Sequence, residues 1–86
     1  MKQETLVIRL LLFAQLKDRL GRSELSFSLP LGSTGKDLLA QLGQNDPTLQ
    51  SLLSVSRLAV NCEYTSLDQI LREGDEVALI PPVSGG

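Results

Sequence analysis

The residues of this chain best placed to do chemistry close its sequence. Gly85-Gly86 follows Pro81-Pro82-Val83-Ser84. A terminal glycine pair has two readings. One is a frayed end, the default for any terminus. The other is a main-chain carboxylate built to enter a narrow site, because glycine lets a backbone approach closely and adopt conformations closed to other residues. Here the pair follows a strand-like run and a stiff spacer, with no low-complexity tail between them. That arrangement favours the second reading. Pro81-Pro82 ends the strand, since proline cannot donate to a sheet ladder, and it favours polyproline II geometry. At the rise of an extended chain, Pro81 to Gly86 reaches roughly 20 Å.

Other reactive side chains are sparse. The chain has no histidine, which removes Ser-His and Cys-His nucleophilic pairs and the commonest metal ligand. Its one cysteine, Cys62, excludes an internal disulfide framework and fits a reducing compartment. A lone Cys in a strand reads as a small packing residue, and no basic neighbour in sequence activates it. Asp75-Glu76 reads as turn chemistry, and no Cys or carboxylate set has metal-ligand spacing. The expectation is a protein with no metal, no bound cofactor and no self-contained catalytic site.

Eighty-six residues make one domain. At 42% hydrophobic but only 3% aromatic, its core is aliphatic. The net charge of −2 argues against nucleic acid as a partner and for a partner with a basic docking surface. No run approaches the roughly 20 apolar residues of a membrane span, and no signal-peptide pattern opens the chain. A cytoplasmic protein is expected.

The elements that must position the terminus follow from periodicity. Leu6 to Phe13 reads as a first strand, with Leu6, Ile8, Leu10 and Leu12 on one face and Val7, Arg9, Leu11 and Phe13 on the other. Both faces are largely apolar, so the strand is central or its second face meets a partner. Ala14 to Leu20 reads as a short helical turn ended by Gly21. Ser23 to Leu29 alternates as a half-exposed strand antiparallel to the first. Thr34 and Asp37 approximate a capping box, opening a main helix whose stripe is Leu38, Leu39 and Leu42 and whose C-cap is Gly43. Asp46-Pro47 starts another turn. Arg57 to Tyr64 reads as one strand. Ser66 caps a short turn. Gly74-Asp75 reverses the chain into a last strand, Val77 to Ile80. Strand, strand, helix, strand, strand is an α+β plan.

Gly74-Asp75-Glu76-Val77-Ala78 through Pro81-Pro82-Val83-Ser84-Gly85-Gly86 resembles the C-terminus of the MoaD family of sulfur carriers, the small subunits of molybdopterin synthase. Leu10-Leu11-Leu12-Phe13-Ala14-Gln15-Leu16 resembles that family's first strand and the turn into its first helix. Ala59-Val60-Asn61 with Glu63 resembles its third strand. The resemblance implies a β-grasp, or ubiquitin-like, fold over residues 1–80, with first and last strands paired in parallel at the sheet centre, and an extended tail over residues 81–86. It implies that the Gly86 carboxylate is adenylated by an activating enzyme using ATP, becomes a thiocarboxylate and gives its sulfur to the pterin precursor. Partners would be the molybdopterin synthase large subunit (MoaE-like), which supplies the catalytic side chains, and an adenylating enzyme (MoeB-like). Gly85, Ser84, Val83, Pro82, Pro81, Ile80 and Phe13 would meet those partners. Without the resemblance, Phe13 and Ile80 read as core residues. Lys17 and Arg57 read either as contacts to acidic groups of a partner or as solvated surface charges. Other classes stay open: a carrier for thiazole, tRNA thiolation or amino-acid biosynthesis, a ubiquitin-like modifier joined to lysines through Gly86, or an interaction module.

Overall fold

The computed structural model describes residues 4–82. Five strands form one mixed sheet in the order β2-β1-β5-β3-β4: β1 Thr5–Leu12, β2 Glu24–Pro30, β3 Arg57–Val60, β4 Glu63–Thr65 and β5 Glu76–Ile80. β1 pairs antiparallel with β2 and parallel with β5, where Leu10 lies opposite Val77 and Leu12 opposite Leu79. β3 runs antiparallel to both β5 and β4. The first and last strands thus lie side by side at the middle of the sheet, the β-grasp arrangement.

Helices α1 (Ala14–Leu20), α2 (Gly35–Asn45) and α3 (Gln50–Leu53) cover one face. β1 alternates strictly: Leu6, Ile8, Leu10 and Leu12 are buried while Thr5, Val7 and Arg9 are exposed. The buried set meets Leu16 of α1, Leu38 and Leu42 of α2, Leu49, Leu53, Leu58, Val77 and Leu79. The core is almost wholly aliphatic, as the composition requires. Each such side chain contributes roughly 1.5–3 kcal/mol by leaving water.

α2 opens as expected. The Asp37 amide donates to Thr34 Oγ1, and the Thr34 amide donates to Asp37 Oδ2 at 2.9 Å, so two otherwise unpaired donors are satisfied. α1 ends in Gly21 at φ +73, whose amide donates to the Lys17 carbonyl. This left-handed cap suits glycine. No helix of the described residues is long and apolar enough to cross a membrane.

Two expectations need correction. Gly43 does not end α2; the helix runs to Asn45 and Asp46 is its C-cap. Gly43 is buried within the helix, where an added Cβ would stand 3.1 Å from Gln50 Cγ, so the glycine serves a close crossing. The run from Arg57 to Tyr64 is not one strand but β3 and β4, folded back at Asn61 and Cys62 with φ of +50 and +74. Apolar content alone hid this turn. The signal was Asn61, which tolerates positive φ.

Asn61 also ties this turn to the next. Its Nδ2 donates to Asp75 Oδ1 at 3.0 Å, its Oδ1 accepts from the Glu76 amide at 3.0 Å, and its own amide donates to the Glu76 carbonyl. Asp75 Oδ2 in turn accepts from the Arg72 amide. Asn61→Ala is expected to lower the unfolding free energy by about 1–3 kcal/mol, since it strands these partners and puts a Cβ-bearing residue without a compensating amide at positive φ. Asn61→Gly, which relieves the backbone but not the hydrogen bonds, should cost less. Urea titration of both variants measures the difference.

Candidate functional site

The site is built where β1 and β5 end together. Because they run parallel, Leu12 and Leu79 lie side by side, and Phe13 after β1 and Pro81–Pro82 after Ile80, the last residue of β5, leave the sheet at the same end. β3 begins there too, with Arg57 opposite Ile80. Phe13 is the N-cap of α1 and is 44% exposed, a large apolar side chain left partly in water. Ile80 is half-buried, Pro81 is buried and Pro82 is exposed. Val83, Ser84, Gly85 and Gly86 lie outside the described residues.

Phe13 and Ile80 are brought together. With Leu11, Ala59 and Ala78 they line an apolar cleft of about 250 Å³ on the sheet face that the helices leave uncovered. The alternation of three strands makes it: Leu11 and Phe13 continue the outward face of β1, Ala78 and Ile80 that of β5, and Ala59 that of β3. Small alanines at the centre and larger side chains at the border give the concavity. Tyr64 of β4, 64% exposed, closes one side. The Arg57 guanidinium sits 5.2 Å from the centroid of its ring, a cation–π contact. Phe13 thus stands outward on the face away from α2, where the resemblance put it, and not in the core, the reading its apolar surroundings alone suggest. Part of β1's second apolar face is what makes the cleft.

A charged belt bounds this cleft on the side away from the tail. Arg9 on β1 bridges Glu24 of β2, with Nε–Oε2 at 3.5 Å, and Glu76 of β5 through its NH2 group. Arg9 and Glu24 are about half exposed, so each pair adds only about 0–1 kcal/mol to stability. The belt holds three long side chains in place and separates the cleft from Val7, which stands exposed further along the same face of β1.

Cys62 departs from its expected role. It is exposed, in the β3–β4 turn rather than packed in a strand, and lies at the border of the cleft. Lys17 borders a shallow depression beside Phe13 and Leu11, and Arg19 borders another beside Pro82 and Val55. Sequence reasoning passed over Ala59 and Ala78, whose importance is their lack of bulk. Their register opposite one another across β3 and β5 could not be read before the pairing was known.

The model of the ThiS family matches residues 10–86. The chain belongs to this family. The match takes in β1 from Leu10 onward, the cleft residues and the closing Gly-Gly. Among curated proteins, the chain is similar to the molybdopterin synthase sulfur carrier subunit of Dictyostelium discoideum, 46% identical over 81 residues, covering 91% of this chain and 94% of that one. Among solved structures, SAMP1 of Haloferax volcanii superposes with a TM-score of 0.80 at 30% identity, covering 93% of this chain and 99% of that one. Subunit 1 in the Helicobacter pylori complex of subunits 1 and 2 of the molybdopterin-converting factor aligns with a TM-score of 0.64 at 29% identity, covering 94% of this chain and all of that one. The fold agreement bears out the β-grasp expectation, and the family match bears out the resemblance to the sulfur carriers.

Truncating Phe13 tests the cleft as a contact surface. Because the ring is partly solvated already, Phe13→Ala should reduce stability by only about 1 kcal/mol, yet weaken binding to a partner seated on the cleft at least tenfold, as a central aromatic anchor does. Urea unfolding and isothermal titration with the partner separate the two effects.

Proposed function

We propose that this chain is the sulfur-carrier subunit of molybdopterin synthase and that the carboxylate of Gly86 carries the sulfur. One observation supports the reading above others: the family match extends through Gly86, so the closing motif belongs to the shared pattern. A free carboxylate is a poor acyl donor. Adenylation by a MoeB-like activating enzyme, with ATP as co-substrate, gives the acyl carbon a good leaving group. Sulfur from a donor displaces the adenylate, and the product is a thiocarboxylate with a nucleophilic sulfur on a side-chain-free arm. The acceptor is the pterin precursor held by a MoaE-like large subunit, which supplies the catalytic side chains. This chain contributes no general acid or base of its own.

The division of labour follows from the geometry. The cleft beside Phe13 and Ile80 gives a partner an apolar foothold at the base of the tail. Pro81, buried at the sheet edge, fixes where the tail departs, and Pro82 restricts the first exposed step. Gly85 and Gly86 matter by absence of bulk. The same surface and arm would serve the activating enzyme and the large subunit in turn, so the two would compete for this chain.

A second reading has a specific observation behind it. SAMP1 is a small archaeal modifier protein, and its likeness to this chain covers nearly all of both. The β-grasp with a Gly-Gly end would then be joined to lysines through the Gly86 carbonyl. The chemistry of activation is shared; the nucleophile that discharges the adenylate differs.

Intact-mass analysis after incubation with the activating enzyme, ATP and a sulfur donor tests the first reading. The expected product has one oxygen replaced by one sulfur, localised to Gly86 and lost on deletion of Gly85-Gly86. Gly85→Val should fold as the parent does and give no such product. Lysine-linked adducts in cells without any thiocarboxylate would favour the modifier reading instead.

A further inference from the structure

We infer that this chain self-associates through the outer edge of β2, two copies joining in antiparallel register about Ser26 into one continuous sheet. The dimer goes beyond the sulfur-carrier reading and does not depend on it.

The backbone pattern identifies the edge. β2 is an outer strand of the sheet and pairs only with β1. Directly opposite residues of an antiparallel pair alternate between bonded and unbonded positions. The Leu12 amide donates to the Ser23 carbonyl at 2.8 Å, and the Leu31 amide to the Glu4 carbonyl at 3.0 Å. With Ile8 opposite Phe27, the bonded positions of β2 are therefore Leu25, Phe27 and Leu29. Glu24, Ser26 and Ser28 turn their N–H and C=O groups away from β1. No turn or loop of the described residues takes up these groups. Pro30 ends the stretch: it has no N–H, and its carbonyl accepts from the Ser33 amide and hydroxyl.

Such edges are ordinarily guarded by lysine, proline, a bulge or brevity. β4, the other outer strand, has only 3 residues. β2 has 7 and pairs with β1 without a bulge. Its one charge, Glu24, and its one proline, Pro30, stand at its two ends, and the middle carries no guard.

The strand is complementary to itself. With Ser26 opposite Ser26, Glu24 meets Ser28 of the second copy and Ser28 meets its Glu24. All the outward residues then exchange both backbone bonds. Between them, Leu25 faces Phe27 on the helix-covered side. Both are only half-buried against the core, and the pairing covers what is left in water. The two Glu24 carboxylates stand about 14 Å apart along the strand direction, beyond the screening length of about 8 Å. Arg22 comes beside Pro30 of the second copy, in a groove that Asp37 also lines, so opposite charges approach at both ends. The α2 wall of that groove, Ala40, Gln41 and Gln44, is exposed and uncharged. Other registers are poorer. Centring on Phe27 or Ser28 sets Pro30 against Glu24 or Ser26 and forfeits an N–H. Centring on Leu25 or Glu24 brings the two carboxylates together. The cleft lies on β1, β5 and β3, away from this contact, and the copies run in opposite directions, so their Pro81 exits point to opposite ends. One strand pair makes a small interface, and the dimer is weak, with a Kd on the order of 0.1–1 mM.

Sedimentation equilibrium across concentrations up to about 1 mM, with amide chemical shifts followed by NMR, tests the dimer. The parent's mass should rise above 9.3 kDa with concentration, and the moving amides should be those of Glu24, Ser26 and Ser28. Ser26→Pro removes only an N–H that points away from β1, and should weaken the dimer at least tenfold. Two surface lysines then read the register. Ser26→Lys sets like charges opposite each other and should weaken the dimer about fivefold, whereas Ser28→Lys faces Glu24 and should tighten it about two- to fivefold. Circular dichroism and urea titration establish that each variant is folded; the two lysine variants decide the matter if the proline variant is not. A parent that stays monomeric overturns the inference, even if Ser26→Pro then weakens binding to the large subunit, which would assign the edge to that partner. Lysines that act alike at both positions, or shifts that map to Phe13 and Ile80, also overturn it. None of these outcomes touches the sulfur-carrier reading, which stands or falls on the mass change at Gly86.

Discussion

The structure depends on the parallel pairing of β1 with β5. Sequence-distant strands meet at the centre of the sheet, Leu10 beside Val77 and Leu12 beside Leu79, over a layer of leucines from α1, α2 and the turns that follow. Parallel pairing forbids a tight hairpin, so the rest of the chain must cross between them. α2 and α3 lie on that crossing and cover the core as they do so. The pairing also decides where the chain leaves the fold. Since both strands end at one edge, the closing residues depart beside Phe13 and the start of β3.

The two sheet faces divide the labour. The helix-covered face gives stability through aliphatic burial. The open face carries a gradient from the apolar cleft at the tail edge, through the Arg9 belt, to the serines of β2. Two alanines and a turn make the cleft possible. Ala59 and Ala78 leave room between larger neighbours, and the left-handed Asn61–Cys62 step folds β4 back so that Tyr64 stands at the border. Asn61 links that turn to the one before β5, so the residues that shape the cleft and the strand that leads to the tail are held by one set of hydrogen bonds.

Much of this was legible from local pattern. The period of two sorted β1 into two faces although both are largely apolar, the capping box of α2 was readable in Thr34 and Asp37, and Gly21 marked the end of α1. The errors have identifiable causes. Gly43 looked like a cap because glycine is common there, but it lies buried inside α2, where a Cβ would fit tightly against Gln50. The β3–β4 turn was invisible to hydrophobic pattern because the flanking residues favour strands on both sides. Apolar pattern alone reads Phe13 as core; the resemblance put it on the outward face, where it is 44% exposed.

The sequence by itself determined the aliphatic core, the absence of histidine chemistry, and a Pro-Pro-Val-Ser-Gly-Gly motif without an acid–base side chain. These depend on residue identity and near neighbours, which local physics reads directly. Tertiary structure alone decided which outward residues share a surface. Phe13, Ala59 and Ile80 are far apart in the chain and become neighbours only through strand register.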